Sequence, residues 1–266
     1  MKIKSSEKFM YAKNPLIQVL AQIRFDRCQS LMSGPTEAQK RVFANSGFVT
    51  ETIEQSASIQ IEFGSNAGES TPPIAPIPIV FHYGAVDEQS KLSVCADFIA
   101  VSCTKYVDWT QFKSLLLPAF TGFAELNTHL KVNRVGLRYR DLIERENLGL
   151  QGVPWSELLA PIICGVFGAE DFFQDDLIEE AGVEQQVTQV LLNFRESKLL
   201  LQSALLRSTG EQPTQAVLID TDFYRELPEK TASSMVGNII ESLHKNADAA
   251  FRCCIKEKLH VAFGPT

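Results

Sequence analysis

Residues 131–145 read KVNRVGLRYRDLIER. Laid out as a β-strand, this run separates into two faces, because successive side chains point to opposite sides. Arg134, Arg138 and Arg140 project to one face with Gly136 among them, and Val135, Leu137, Tyr139 and Ile143 project to the other. A period of two with one apolar set predicts a strand that lays one face on a core. Arginine forks hold carboxylates and phosphates in two-pronged fashion, and a glycine between them lets a ligand or another backbone approach closely. Arg134, Gly136, Arg138 and Arg140 are therefore the candidate partner- or anion-binding residues. The competing expectation for the same face is pairing of the arginines with Asp and Glu on neighbouring strands, with Gly136 marking a bulge.

Working outward, the segment before this strand reads as a helix beginning at Asp108. Phe112, Leu115, Leu116, Ala119, Phe120 and Phe123 form one apolar stripe. Asp108 and Gln111 have capping-box spacing, and Pro118 predicts a kink. Further upstream, IVFHYGA, KLSVCAD and FIAVSCTKY read as an antiparallel meander. SIQIEF (58–63) alternates as a strand, and the Gly-, Ser- and Pro-rich run after it reads as an exposed loop. TEAQKRVFANS reads as a short helix with Thr36 as N-cap. LIQVLAQIRF, after Asn14-Pro15, alternates as a half-buried strand.

Downstream, Trp155 to Phe167 reads as helical. VTQVLLNF, SKLLLQSALLR and TQAVLIDTDFY read as strands, with Gly210 and Pro213 marking the turn before the third. A long helix is expected over Thr231 to Cys253, its stripe made by Val236, Ile239, Ile240, Leu243, Ala247 and Ala250. KLHVAFG closes the chain as a short strand. Both halves thus end in meander, long helix, strand. A shift of about 125 residues places Asp97-Phe98 on Asp222-Phe223 and Lys131 on Lys256. The expected fold class is α+β: two similar halves, each a mostly antiparallel sheet covered by a long helix. The halves are 1–150 and 151–266, packed as one compact unit.

The 266 residues suffice for a sizeable core without staples. The net charge of −7 argues against bulk, sequence-independent nucleic-acid binding, which needs a positive field, and leaves room for a local contact. MKIKSSEKFMYAKNP lacks the apolar core of a signal peptide, and no apolar run approaches the roughly 20 residues that span a bilayer. The reading is a cytoplasmic protein with no membrane association. The six cysteines are scattered without a C-x-x-C pair and read as reduced, mostly buried thiols.

Asp220 and Asp222 share one strand face, and paired carboxylates can hold a divalent metal. The plain alternative is a polar strand end before a turn. His82, His129, His244 and His260 show no metal-binding spacing; His244 reads as structural, beside the apolar stripe, and a Cys103–His82 pair is conceivable. No phosphate-binding glycine loop or G-x-S-x-G elbow occurs, which removes the easily recognised nucleotide and hydrolase classes but not all enzymes; no cofactor is expected. The acidic segment Glu170 to Glu180 reads as a solvated amphipathic helix or a dock for a basic partner.

NPLIQVLAQIRF, DFIAVSCTKYVDWTQF, RVGLRYRDLIE and ESLHKNADAAF together resemble the marks of a sporadically distributed family of prokaryotic proteins of similar length and unassigned function. The motif patterns are NPLxxVxxQxRF, YxxWxxF (Tyr106, Trp109, Phe112) and RxGLRYxD. The resemblance runs from about Asn14 to Phe251. It carries over no catalytic residue, and the family's patchy distribution implies accessory or defence-island genes. The resulting expectation is a non-catalytic binding or assembly protein, an accessory or antitoxin-like component of a prokaryotic defence system. A protein partner and a homo-oligomer fit that reading. The alternative is a nucleic-acid-processing or nucleotide-handling enzyme in which Asp220 and Asp222 hold metal and Arg134, Arg138 and Arg140 hold phosphate. A third reading is a small-ligand sensor with an apolar pocket between the halves.

Overall fold

The computed structural model describes residues 10–55, 79–169, 173, 179–209, 214–228 and 231–266. Strand β1 (Leu16–Phe25) comes first, and its alternation buries Val19, Ala21, Ile23 and Phe25. Helix α1 (Glu37–Asn45) starts at Thr36, whose hydroxyl accepts from the Gln39 amide at 3.3 Å while the Gln39 side chain accepts from the Thr36 amide at 2.8 Å. Two donors orphaned by the helix start are thereby satisfied. Strand β2 (Phe48–Gln55) follows, with no alternation to announce it: it buries Phe48 but leaves Val49 and Ile53 exposed, as an edge strand can. The SIQIEF strand and the loop expected after it fall outside the described residues.

The meander forms as β3 (Ile79–Ala85), β4 (Ser90–Cys95) and β5 (Phe98–Cys103). In the first turn the Asp87 carboxylate accepts from the Gln89 and Ser90 amides, each at 2.9 Å. Helix α2 (Trp109–Leu126) is capped by Asp108, which accepts from the Gln111 amide at 2.8 Å, and it buries Phe112, Leu116, Ala119, Phe120 and Phe123. The arginine strand is β6 (Val132–Glu144), followed by the single turn α3 (Arg145–Leu148). Trp155 to Phe167 is not one helix. It breaks into α4 (Trp155–Leu158), α5 (Pro161–Cys164) and a 3₁₀ turn. Pro161 holds Ala160 extended at φ −72°, ψ 151°, and Gly165 turns the chain at φ +56°.

Strands β7 (Val187–Phe194), β8 (Ser197–Arg207) and β9 (Gln215–Glu226) make the second meander, and α6 (Val236–Cys254) buries its whole expected stripe. The closing KLHVAFG is a helix, α7 (Glu257–Phe263), and not a strand. Its apolar residues fit either period, and burial decides the outcome. Leu259, His260 and Phe263 are inside at helical spacing, while Val261, which a strand would bury beside Leu259, is 61% exposed.

All the described strands join one antiparallel sheet in the order β2-β3-β4-β5-β1-β6-β9-β8-β7, where two sheets were expected. The chain makes two passes through this order. β1 is followed by a meander that returns to pair β5 with β1, then by α2; β6 is followed by a meander that returns to pair β9 with β6, then by α6. β6 lies antiparallel beside β1, and the C-terminal segment that the 125-residue shift sets against it is a helix. The Phe25–Phe123 ring contact, at 5.5 Å, puts α2 on the face that carries the odd-numbered core residues of β1; the Tyr139–His244 hydrogen bond, at 2.8 Å, puts α6 on that same face of β6. The arginines occupy the opposite face. No helix among the described residues is long and apolar enough to cross a membrane.

Candidate functional site: an arginine face and an aromatic cavity on two sides of one strand

Antiparallel registry sets Arg138 opposite Asp222 and Arg140 opposite Asp220. Arg134 and Arg138 reach diagonally. Arg138 donates to both oxygens of Asp220, from Nε at 2.7 Å and from Nη2 at 2.5 Å, and Arg140 Nε lies 3.7 Å from the same carboxylate. Arg134 donates to Asp222 at 3.2 Å and to Gln22 at 3.3 Å, and its guanidinium lies 4.3 Å from the centre of the Tyr224 ring. Gly136 has a role in this packing. A Cβ there would stand 3.3 Å from Arg134 Nη1, so the bare backbone gives the arginine room to lie across the strand. The bond to Asp220 raises Arg138 above its ordinary range, and burial holds the Asp222 carboxyl up against the lowering influence of Arg134 and Arg138. Cross-strand ion pairing therefore engages Arg134, Arg138 and Arg140 together with Asp220 and Asp222.

The other face of β6 opens onto a cavity of about 360 Å³. Tyr139 and Asp141 supply its floor with Thr221 of β9; His244 and Asp248 of α6 supply one wall; Tyr106 and Trp109, at the start of α2, supply another. Tyr11 and the Asn14-Pro15-Leu16 run close it from the N-terminal side. The aromatic side chains are tied down. The Trp109 indole stacks on the His244 ring at 4.2 Å and 12°, and its Nε1 donates to Glu241 at 2.8 Å, a bond that helps hold the Glu241 carboxyl low. The Tyr139 hydroxyl and His244 Nδ1 share a hydrogen bond of 2.8 Å, and the Tyr11 hydroxyl shares one of 2.9 Å with His260 Nδ1. Second-line contacts of this kind fix rotamers and keep a pocket preformed.

Asp141 is the unusual group. It is 5% exposed, lies on the cavity floor and has no hydrogen bond from any described residue. Burial, and then the charge of Asp220 behind it, push its carboxyl up to about 8. Carboxylates add to burial at the tyrosines of the cavity walls. Tyr139 is raised by burial first, with Asp248, Asp141 and Glu241 adding to it, and Tyr106 is raised by burial first, with Asp248 and Asp108 adding.

The cavity gathers what the chain keeps apart. Asn14-Pro15, Tyr106 and Trp109, Tyr139 and Asp141, and His244 and Phe251 each belong to a different one of the four resemblance motifs, and all line this one space. Asp141 had a legible signal: it is the charged residue in the register of Val135, Leu137, Tyr139 and Ile143. His244 is buried, as a structural residue would be, and also faces the cavity. Cys103 shares the helix-side register with Val19, while His82 pairs with Ser93 on the opposite face, so the sheet separates them. Among the described residues no three His, Cys, Asp or Glu side chains gather as a metal site. Most of the acidic segment 170–180 lies outside the described residues; of it, Glu180 accepts from Arg145 at 2.5 Å and from the Trp155 amide at 2.7 Å. Compared with known proteins, the chain matches no family model and no curated protein.

Proposed function

We propose that the chain is a non-catalytic binding protein that senses a small ligand in the cavity between its two passes. One observation carries this reading: four separated motifs of the resemblance converge on one aromatic-lined cavity of about 360 Å³, within the range of small-molecule sites. The groups there are arranged to hold rather than to react. His244 is stacked on Trp109 and bonded to Tyr139, a phenol whose proton burial retains, which fits a holding role. The two passes, read as copies of one α+β unit each with its long helix, would meet at the ligand, and occupancy would couple α2 to α6. A role as accessory or antitoxin-like component of a defence system gives such a sensor a context and belongs to the same proposal.

The nucleotide-handling alternative has its residues close together, but Asp220 would have to exchange Arg138 and Arg140 for a metal. The test is a thermal-shift screen of a fragment library on the full chain, repeated on Thr110→Phe, which narrows the cavity at an exposed position on its rim. Stabilising fragments are expected, at saturation by about 2–3 kcal/mol for a concentration near 100 times Kd, and Thr110→Phe should abolish their effect. A screen with no stabilising fragment, or with fragments indifferent to Thr110→Phe, overturns the ligand reading. Turnover abolished by Asp141→Asn or His244→Gln overturns the non-catalytic one.

A further inference from the structure

Three carboxyl groups stand among the described lining residues. Asp108 stands at the rim, Asp248 on the wall and Asp141 on the floor. Arg252 is the single guanidinium among the described lining residues, and it donates to the Ile255 carbonyl at 3.1 Å and to Glu257 at 2.5 Å. Between the carboxyl groups stand the rings of Tyr11, Tyr106, Trp109 and Phe251, half-buried and partly open to the space. Aromatic faces attract cations through their quadrupole, most strongly where water is excluded. A buried carboxyl without a donor is costly to the protein alone and is relieved by an incoming donor. Aromatic rings around a buried acid that takes no hydrogen bond from any described residue describe a receptor for a positive charge.

Resting on the ligand reading above, we infer that the cavity takes a small organic cation, a protonated amine with an apolar body. Its N–H groups donate to the Asp141 carboxylate, the carboxyl proton passes to solvent, and the rings of Trp109, Tyr106 and Tyr11 enclose the alkyl or aryl part. The neutral analogue of the same shape can donate to Asp141 but forms no charge-assisted bond and no cation–π contact. The anionic analogue meets carboxylates of its own sign.

Three isosteric sets test this: amine, alcohol and acid built on butyl, phenylethyl and indolylethyl bodies. Each is titrated into the full chain by calorimetry, and the butyl and phenylethyl sets also by tryptophan fluorescence. Of the two tryptophans, Trp155 is 0% exposed and is not among the lining residues, so Trp109 reports. In at least one set the amine is expected to bind about tenfold to a hundredfold tighter than the alcohol, the range of a charge-assisted hydrogen bond, with the acid weakest. Asp141→Asn should bring amine and alcohol to within about threefold of each other while the fold is retained, as judged by its unfolding transition. Alcohols and acids that bind as tightly as the amines, or an amine preference untouched by Asp141→Asn, overturn the cation assignment and leave the cavity reading in place. No binding by any member, with no change in Trp109 emission at millimolar concentration, overturns both.

Discussion

Asp141→Asn is expected to stabilise the protein at neutral pH. The carboxyl is 5% exposed and takes no hydrogen bond from a described residue, and burial with the Asp220 charge raises it from an ordinary 3.8 to about 8. Its surroundings do little to offset this. Tyr11, Tyr139, Asp248 and Arg252 face it around the cavity, with Cys254 nearby on α6, itself raised by burial to about 12, and Arg252 is committed to Glu257. The sign follows from linkage. An acid whose folded value lies above its unfolded one binds protons more tightly when folded, so stability falls as pH rises from about 4 to about 8. At pH 7 the unfolded aspartate has shed its proton by about three pH units, and restoring it on folding costs about 4 kcal/mol. Asparagine has the same shape and no such cost. Its amide still lacks partners, which leaves an expected net gain of about 2–3 kcal/mol. For a chain of this size that corresponds to roughly 4–10 °C in Tm. Urea unfolding of both proteins at pH 4.5, 7.0 and 8.5 measures it. The gap should be under about 1 kcal/mol at pH 4.5 and full above pH 8. A variant less stable than the parent at pH 7, or a gap independent of pH, would refute the reasoning, because the carboxylate would then be ionised and partnered in the fold.

Three further outcomes are expected. Arg138→Ala strands the 6%-exposed Asp220 with only the 3.7 Å contact to Arg140, and urea unfolding should show a loss of about 2–3 kcal/mol. Arg138 is itself 41% exposed, so the loss should lie below that of a fully buried pair. Tyr139→Phe removes the hydroxyl bonded to His244 and should cost about 1 kcal/mol, with a changed Trp109 emission as the stacked imidazole loosens. Thr36→Ala removes one half of the reciprocal cap of α1 and should cost about 1 kcal/mol in thermal unfolding, whereas Thr36→Ser should retain most of it.

Much of the fold was legible where burial imposes a clean local period. β1, β6 and the stripes of α2 and α6 alternate or repeat as their packing requires. Two periods fit the same letters in KLHVAFG, and FVTETIEQ, an edge strand, buries too little to show a pattern. At Pro161 a proline interrupts a helical stripe. The candidate site was legible in pieces. Arg134, Arg138 and Arg140 drew attention because charge on a strand is conspicuous, but registry gave them Asp220 and Asp222 as partners. Asp141 stood in the apolar register one residue further along and was the more informative charge, since nothing on the neighbouring strands answers it.

By itself the chain determined most of its elements: side-chain period, helix caps at Thr36 and Asp108, and the two faces of β6 all follow from residues a few positions apart. The tertiary structure alone decided that β1 and β6 sit side by side at the centre of one sheet. It alone decided that the arginines meet aspartates and that Tyr11, Trp109, Tyr139, Asp141 and His244 surround one space. The reason is physical. A strand's period says which face a residue occupies, but its neighbours are chosen by burial and registry summed over segments more than a hundred residues apart, as Tyr139 and His244 are.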